Sequence, residues 1–433
     1  MIGAKPSAQV FLLPKALPFR YHKSMACINL SNRKSSGPSH VSLFSGFRKW
    51  KLLQKINLFS RVKRNSASSN EQPVKGREHE VESVEGGEDM WDSASAAVKF
   101  PEHLIIMVNG IVGSAEDWKF AANQFVKRLP DKVMVHRSEC NYATLTFDGV
   151  DRMGERLADE VVLVVKHRPG VQKISFVAHS LGGLIARYAI GRLYEPCPDT
   201  QLSDATSNSS NDKHLEKPCE GRIAGLEPMN FITFASPHLG SRGNKQLPFL
   251  CGLPFLESRA SQTAHWIAGR TGKHLFLTDN DDGKPPLLLR MVDDYDGLNF
   301  MSALRSFKRR VAYANANYDH MVGWRTSSIR RQHELPKNQL LSKDEKYPHV
   351  VYVERGNPPS MHQQESLQIK NKTIDLEEVM IRGLTQVPWE RVDVSFHRSK
   401  QKYIAHSTIQ VKTYWLNSDG ADVVFHMIDD FVI

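Results

Sequence analysis

Residues 173–190 read KISFVAHSLGGLIARYAI, and the chemistry of this stretch centres on Ser180. An apolar run (Ile174, Phe176, Val177) leads into Ala178-His179-Ser180-Leu181-Gly182-Gly183 and then into a helical pattern. A strand-to-helix turn of the form G-x-S-x-G lifts a serine into a sharp position suited to a nucleophile. Here Ala178 replaces the first glycine, adding one methyl where the turn needs only a small residue. A serine hydroxyl is a weak nucleophile at neutral pH. It needs a base, an acid to orient that base, and donors for the oxyanion.

Each of these is sought at the C-terminal end of a strand, where open α/β sheets place their sites. Asp319, in N-Y-D-H-M-V after the strand-like V-A-Y-A-N-A, is the candidate acid. Its rivals Asp293, Asp294 and Asp296 in M-V-D-D-Y-D-G precede a helical pattern and read as helix-start acids. With 18 histidines in the chain, position has to choose the base. His406, in Y-I-A-H-S-T-I, is expected in a loop ahead of the last strand-like and helical segments. His397 is the nearest competitor, and His426 falls inside the final helix, where a packed histidine is the better reading. The order Ser180, Asp319, His406 is that of α/β-hydrolases. The oxyanion donors would be the backbone N–H groups of Leu181 and of Ile111 in Asn109-Gly110-Ile111-Val112-Gly113, with Val112 the alternative in that loop.

The elements that must hold these residues form a rhythm. His103–Val108 is a continuous apolar run that suits a strand buried on both faces. A helix is expected over Glu116–Leu129, capped by Ser114 and packed through Trp118, Ala121, Ala122, Phe125 and Leu129. Val133–Val135 reads as a brief strand, and Asp151–His167 as a helix whose stripe is Met153, Leu157, Val161 and Val165, widened by Ala158 and Val162. The helix after Ser180 should bury Leu184, Ile185, Ala189 and Leu193. Met229–Ala235 is a strand, Phe300–Arg310 a helix, Val311–Ala314 a strand, and Gly420–Ile433 a final helix with Val423, Val424, Met427, Ile428 and Phe431 inward. Alternation of this kind predicts an α/β fold with a mostly parallel central sheet and helices on both faces. Polar insertions are expected near 195–222 and 330–390, and an apolar, cap-like segment near 245–277.

The net charge of +10 is unevenly spread. Residues 1–70 hold 13 Lys/Arg, 12 serines and no Asp or Glu, which leaves 44 Lys/Arg against 47 Asp/Glu in the rest. An acid-free, Ser-rich basic leader has the composition of an organelle transit peptide, and its length points to a plastid (chloroplast) before a mitochondrion. The alternatives are a cytosolic protein with a disordered basic tail, or a basic arm for RNA or anionic lipid. Residues 71–100 read as an acidic polar linker and 101–433 as the folded domain. The longest apolar runs, at 104–108 and 161–165, are far short of the ~18 residues of a membrane span. Five scattered cysteines without a C-x-x-C pair argue against a disulfide framework or a zinc site.

Several stretches together resemble a known family, the eukaryotic putative serine esterases, lipase-like α/β-hydrolases related to Rog-type lipases, in their plant branch. They are V-N-G-I-V-G-S-A-E-D-W, V-A-H-S-L-G-G-L-I-A-R-Y-A-I, F-I-T-F-A-S-P-H-L-G, Y-A-N-A-N-Y-D-H-M-V-G-W-R-T-S-S-I and, less closely, A-H-S-T-I-Q-V-K. The resemblance implies an α/β-hydrolase fold with Ser180 as nucleophile and Asp319 and His406 as its partners. Asn109 stands where the family often has histidine, which touches loop geometry more than the backbone donors.

The expected activity is serine ester hydrolysis through an acyl-enzyme, with an acyl lipid or other ester as substrate and a peripheral contact with membranes. No metal, cofactor or nucleic-acid partner is expected. The alternatives are an acyltransferase or thioesterase on the same triad, or a catalytically silent lipid-binding protein. In the cap-like segment, Phe249, Leu250, Phe255 and Trp266 are candidates for acyl-chain contact, and a cap packed on the core without touching substrate is an equal reading. His238 in S-P-H-L-G reads as structural. G-R-T-G-K-H at 269–274 is not a phosphate loop, because Ile267 occupies the place of its first glycine.

Overall fold

The computed structural model describes residues 101–197, 221–241, 269–280, 283–356 and 375–433, together with the backbone of 82–84 and 88–90. Among the described residues seven strands make the central sheet: β1 (His103–Val108), β2 (Val133–Arg137), β3 (Lys173–His179), β4 (Glu227–Phe234), β5 (Arg309–Asn315), β6 (Val350–Glu354) and β7 (Glu390–Val394). Their spatial order is β6-β7-β5-β4-β3-β1-β2. All neighbours are parallel except the edge pair β6–β7. The order reverses between β1 and β3, so the connections that follow their C-terminal ends run in opposite directions, the switch point where such sheets place their sites.

Period-two geometry explains the apolar run of β1. Leu104, Ile106 and Val108 enter one core while Ile105 and Met107 enter the other, all of them buried. The first core lies under α2 (Val150–His167), α3 (Gly182–Leu193), α4 (Phe300–Ser306) and α5 (Leu376–Leu384). The second lies under α1 (Lys119–Arg128) and α6 (Ala421–Asp429). Helix α3 is buried at every position but Arg192. It therefore runs through the core, each large apolar side chain contributing on the order of 2 kcal/mol of burial. Helices on both faces of a mostly parallel sheet are the architecture expected from the sequence, and they agree with an α/β-hydrolase fold.

Several boundaries differ from the expectation. A 3-10 turn, Ala115–Trp118, precedes α1, and Ser114 at its start makes no side-chain cap. Helix α4 ends at Ser306, because strand β5 already begins at Arg309. Val162 is exposed, and it is Val164 and Val165 that pack against the core. The stretch 330–390 is not simply an insertion: it supplies edge strand β6 and helix α5. Its polar look follows from an edge position, where only one side of the strand is paired.

Residues 198–220, at the centre of the other insertion, lie outside the described residues, and Tyr194–Glu195 pairs antiparallel with Arg222–Ile223 at its base. Cys197 is disulfide-bonded, a single bridge rather than the framework that the scattered cysteines argued against, whereas Cys140 is free. Within the stretch read as a linker, Glu82–Val84 pairs antiparallel with Glu88–Met90. The leader at 1–70 falls outside the described residues.

Candidate active site

Sheet register brings the first parts of the site together. Val108 of β1 pairs with Ala178 of β3, so Asn109-Gly110 and His179-Ser180 leave the sheet side by side. Ser180 sits at the turn with φ of +54°, a left-handed conformation in which a non-glycine residue is strained. The strain is held from three sides. The Ser180 N–H donates to Phe234 O (2.8 Å). A Cβ on Gly182 would come 2.5 Å from Val108 O, and one on Gly183 would clash with Ser236 Oγ. Ala178, at the position where glycine is usual, is fully buried and accommodated.

Asp319 follows β5 and is buried. Its Oδ1 accepts from the N–H groups of Met321 and Val322, each at 2.9 Å, and its Oδ2 accepts from Asn315 Nδ2 (2.8 Å). Burial alone would raise its carboxyl. The His406 imidazole and these hydrogen bonds outweigh that and hold the pKa below the ordinary carboxylate value. An ionised carboxylate only accepts, so His406 Nδ1–H donates to Asp319 Oδ2 (3.0 Å). The lone pair is thereby left on Nε2, which lies 3.0 Å from Ser180 Oγ and accepts the hydroxyl proton. His406 is carried by a four-residue helix, Ala405–Thr408, after β7. No described strand follows it, so the strand-like segment expected there is absent among the described residues.

The loop after β1 is folded back by Gly113 N–H to Gly110 O (3.0 Å). The Val112 N–H donates to Thr146 Oγ1 (2.9 Å), so it is committed and cannot serve as the loop donor. Among the described residues, the N–H groups of Ile111 and Leu181 have no acceptor. Asn109 braces the loop through Nδ2, which donates to Asn141 O (2.9 Å) and Gly110 O (3.1 Å). Its role is mechanical, in keeping with backbone donors that do not depend on its side chain.

The rivals fall elsewhere. His397 is exposed beside Tyr318. His426 is buried, its Nδ1 bonded to Tyr313 Oη (2.8 Å). Asp294 receives the Met301 and Ser302 N–H groups at the start of α4, at 2.9 and 3.0 Å, as a helix-start acid should. His238 is a buried structural residue bonded to Thr233 Oγ1 (3.0 Å). Residues 269–276 are helical, which excludes a phosphate loop there. This helix docks on the start of α2, with Arg270 paired to Asp151 at 2.7 Å and His274 Nδ1 accepting from Val150 N–H at 3.0 Å. Phe249, Leu250, Phe255 and Trp266 lie outside the described residues.

Two residues of the site escaped the sequence reading. His179, next to Ser180, hydrogen-bonds the main chain of His406. Thr146, in a 3-10 turn, anchors the loop that follows β1. Neither belongs to a periodic pattern. Only the position of His179 directly before Ser180 could have drawn attention to it.

Residues 99–329 match the family described as "Putative serine esterase (DUF676)", a span that includes Ser180 and Asp319. Curated relatives include "Putative lipase ROG1" of Saccharomyces cerevisiae, 30% identical over 233 residues, covering 53% of this chain and 28% of the relative. "Putative lipase C4A8.10" of Schizosaccharomyces pombe is 24% identical over 273 residues, 61% of this chain and 30% of the relative. The chain thus spans less than a third of the length of these relatives. Among solved structures, mature Bacillus licheniformis lipase BlEst2 aligns over 51% of this chain and 68% of its own, at 16% identity and a TM-score of 0.29. With the family pattern spanning more than half of the sequence, this chain belongs to the putative serine esterase (DUF676) family.

Proposed function

We propose that the protein is a serine carboxylic-ester hydrolase acting on acyl esters of lipids, with Ser180 as nucleophile, His406 as base and Asp319 as its orienting acid. The observation that carries this reading is the continuous relay from Ser180 Oγ to His406 Nε2 and from Nδ1 to Asp319, at 3.0 Å in each step. Ser180 Oγ attacks the ester carbonyl carbon while its proton passes to His406 Nε2. The carbonyl oxygen becomes an oxyanion received by the Leu181 and Ile111 N–H groups. Collapse of the tetrahedral species breaks the ester C–O bond, and His406 returns the proton to the leaving alcohol. Water, deprotonated by the same nitrogen, then releases the acid from Ser180. Asp319 stays ionised throughout and stabilises the imidazolium.

The preference for lipid esters draws on the relatives, whose names read "Putative lipase". For the acid-free leader we propose plastid import, which a processing assay with isolated plastids tests. The activity is tested by labelling the folded protein with a fluorophosphonate and measuring acyl release from lipid esters. A Ser180 adduct, with turnover lost in Ser180→Ala, is the expected result. A folded protein that takes no label at Ser180 would overturn the assignment in favour of a silent lipid-binding fold.

A further inference from the structure

The segment that carries His406 has an unusual composition and an unusual surface. From Ser395 to Ser418 it contains Arg398, Lys400, Lys402 and Lys412 and no acidic residue. Its ends are tied together. Ser399 Oγ donates to Asp419 Oδ2 (2.6 Å), Gln401 Nε2 to Ser418 Oγ (3.1 Å), and the Asp419 N–H to Gln401 Oε1 (3.1 Å). Inside this closed loop Ala405, His406, Thr408, Ile409 and Val411 are buried, while Tyr403 (68% exposed), Ile404, Trp415 (77% exposed) and Leu416 face outward. Tyr414, with one face of its ring stacked on Phe120 (centroids 5.0 Å apart), leaves the other exposed.

Single exposed apolar residues are ordinary on a protein surface. A helical turn with three consecutive apolar side chains all exposed is not, because successive residues point about 100° apart and a docked turn buries at least one of them. Tyr403 lies two residues inside one end of the tie and Leu416 two residues inside the other. Chain connectivity therefore keeps the two apolar groups within about 20 Å of each other. Cations sit among them: Lys402 Nζ is 5.2 Å from the rings of both Tyr318 and Tyr403, and Arg398 and Lys400 are exposed. Exposed Trp and Tyr beside Lys is the chemistry of a bilayer interface, where the rings lie at headgroup depth and the amines meet anionic lipid.

We propose that this loop docks the protein peripherally on a lipid bilayer bearing anionic headgroups, through Tyr403, Ile404, Tyr414, Trp415 and Leu416. The inference deepens the ester-hydrolase reading and rests on it for its purpose, since the docked loop itself carries His406. Lys400 and Lys402 draw the loop to the surface, and Trp415 with Leu416 enters the headgroup region.

The test uses the full chain with Ser180→Ala, so that lipid is not consumed, and vesicles of phosphatidylcholine with roughly one third phosphatidylglycerol. Brominated phosphatidylcholine in those vesicles should quench part of the tryptophan emission, and that part should vanish in Trp415→Phe. Partition of Trp415→Ser/Leu416→Ser should fall about tenfold. Lys400→Gln/Lys402→Gln should weaken binding to the anionic vesicles and leave binding to pure phosphatidylcholine unchanged. The basic leader is common to all variants, and the quenching reports position 415 alone. Quenching that is the same with and without Trp415, or an unchanged partition of the Ser/Ser variant, overturns the proposal. So does a Ser/Ser variant whose sedimentation changes without vesicles while its partition does not, which would mark an interface between copies. Fluorophosphonate labelling in vesicle-free solution reads the hydrolase assignment separately, and with Ser180 restored the Ser/Ser variant should hydrolyse a soluble short-chain ester at the unaltered rate.

Discussion

The Nε2–H of His179 donates to the backbone carbonyl of His406 across 2.7 Å, and the two rings lie 4.6 Å apart. The residue that precedes Ser180 thus holds the main chain of His406, the base of the proposed mechanism. Burial first, and the neighbouring His406 next, keep the His179 imidazole well below its ordinary pKa, so it remains neutral and does not repel an imidazolium at His406. His179→Ala is expected to lower kcat by about ten- to a hundredfold with little change in KM, because it loosens the base without touching substrate. His179→Gln should recover much of the loss through its amide N–H. A folded alanine variant with the native kcat would remove His179 from the positioning of the base.

Asp319→Asn tests the tautomer. An amide NH₂ facing Nδ1 would favour the proton on Nε2, where it blocks acceptance from Ser180. The fold should persist while kcat falls by about 10³ to 10⁴, as expected when the orienting acid is neutralised. Single-turnover acylation by a chromogenic ester, followed alongside circular dichroism, separates this outcome from unfolding.

Thr146→Val removes the acceptor of the Val112 N–H while nearly preserving shape. Val112 also sits at φ of +54°, so the loop depends on that bond to keep its conformation. Loss of oxyanion alignment should cost about tenfold or more in kcat, since one such donor is worth about 10² to 10³. Affinity for a tetrahedral phosphonate should weaken with it, and an unchanged inhibition constant would separate Thr146 from the oxyanion loop.

Gly182→Ala and Gly183→Ala should differ in kind. The first methyl meets backbone oxygens of Val108 and Asn109 at 2.5 and 2.7 Å, and these cannot move without disturbing the sheet. The second meets the Ser236 side chain, where the hydroxyl, without a hydrogen-bond partner among the described residues, is able to rotate away. The Ser236 Cβ at 2.7 Å must shift with its backbone, so the clash is with one side chain rather than with two carbonyl oxygens. Gly182→Ala is therefore expected to cost about 2 kcal/mol or more, and Gly183→Ala less. Urea midpoints of the two variants check the order.

Three buried histidines predict an acid-sensitive fold. Burial, reinforced by Lys173, lowers His103 from 6.5 to about 3, and burial puts His179 and His238 well below their ordinary value as well. The unfolded chain takes up protons at these sites near pH 6.5, whereas the folded chain does so only at lower pH. Their stabilisation is therefore fully present above that pH and is lost as pH falls toward the folded pKa values. Each imidazole contributes a slope of at most about 1.4 kcal/mol per pH unit, so the three together reach on the order of 4 kcal/mol per unit. Denaturant midpoints at about pH 7.5 and about pH 5.5 should differ sharply, and equal midpoints would contradict the burial argument.

How much was legible in the sequence depends on how local the cause is. Strands β1, β3 and β4 announce themselves because burial on both faces leaves a continuous apolar run. Ser180, Asp319 and His406 could be ranked by their places after strands, and the structure brings these three side chains into contact. Strand β6 was not legible, since V-V-Y-V-E is short, lies at an edge and is surrounded by polar residues. The choice between Ile111 and Val112 turned on Thr146, which lies 34 residues from Val112 and leaves no mark on the loop itself. The contact from His179 reaches a main-chain carbonyl 227 residues away, which no pattern of side chains encodes.

The separation of Ser180 from its base by 226 residues has a consequence in time. At about 5 to 20 residues per second, a ribosome adds that stretch in roughly 10 to 45 s. Throughout that interval the elbow serine exists without the imidazole that would activate it. On the proposed mechanism a nascent chain is therefore chemically quiet toward the esters around it, and reactivity arrives only when the loop closed by Gln401 and Ser418 settles beside Ser180.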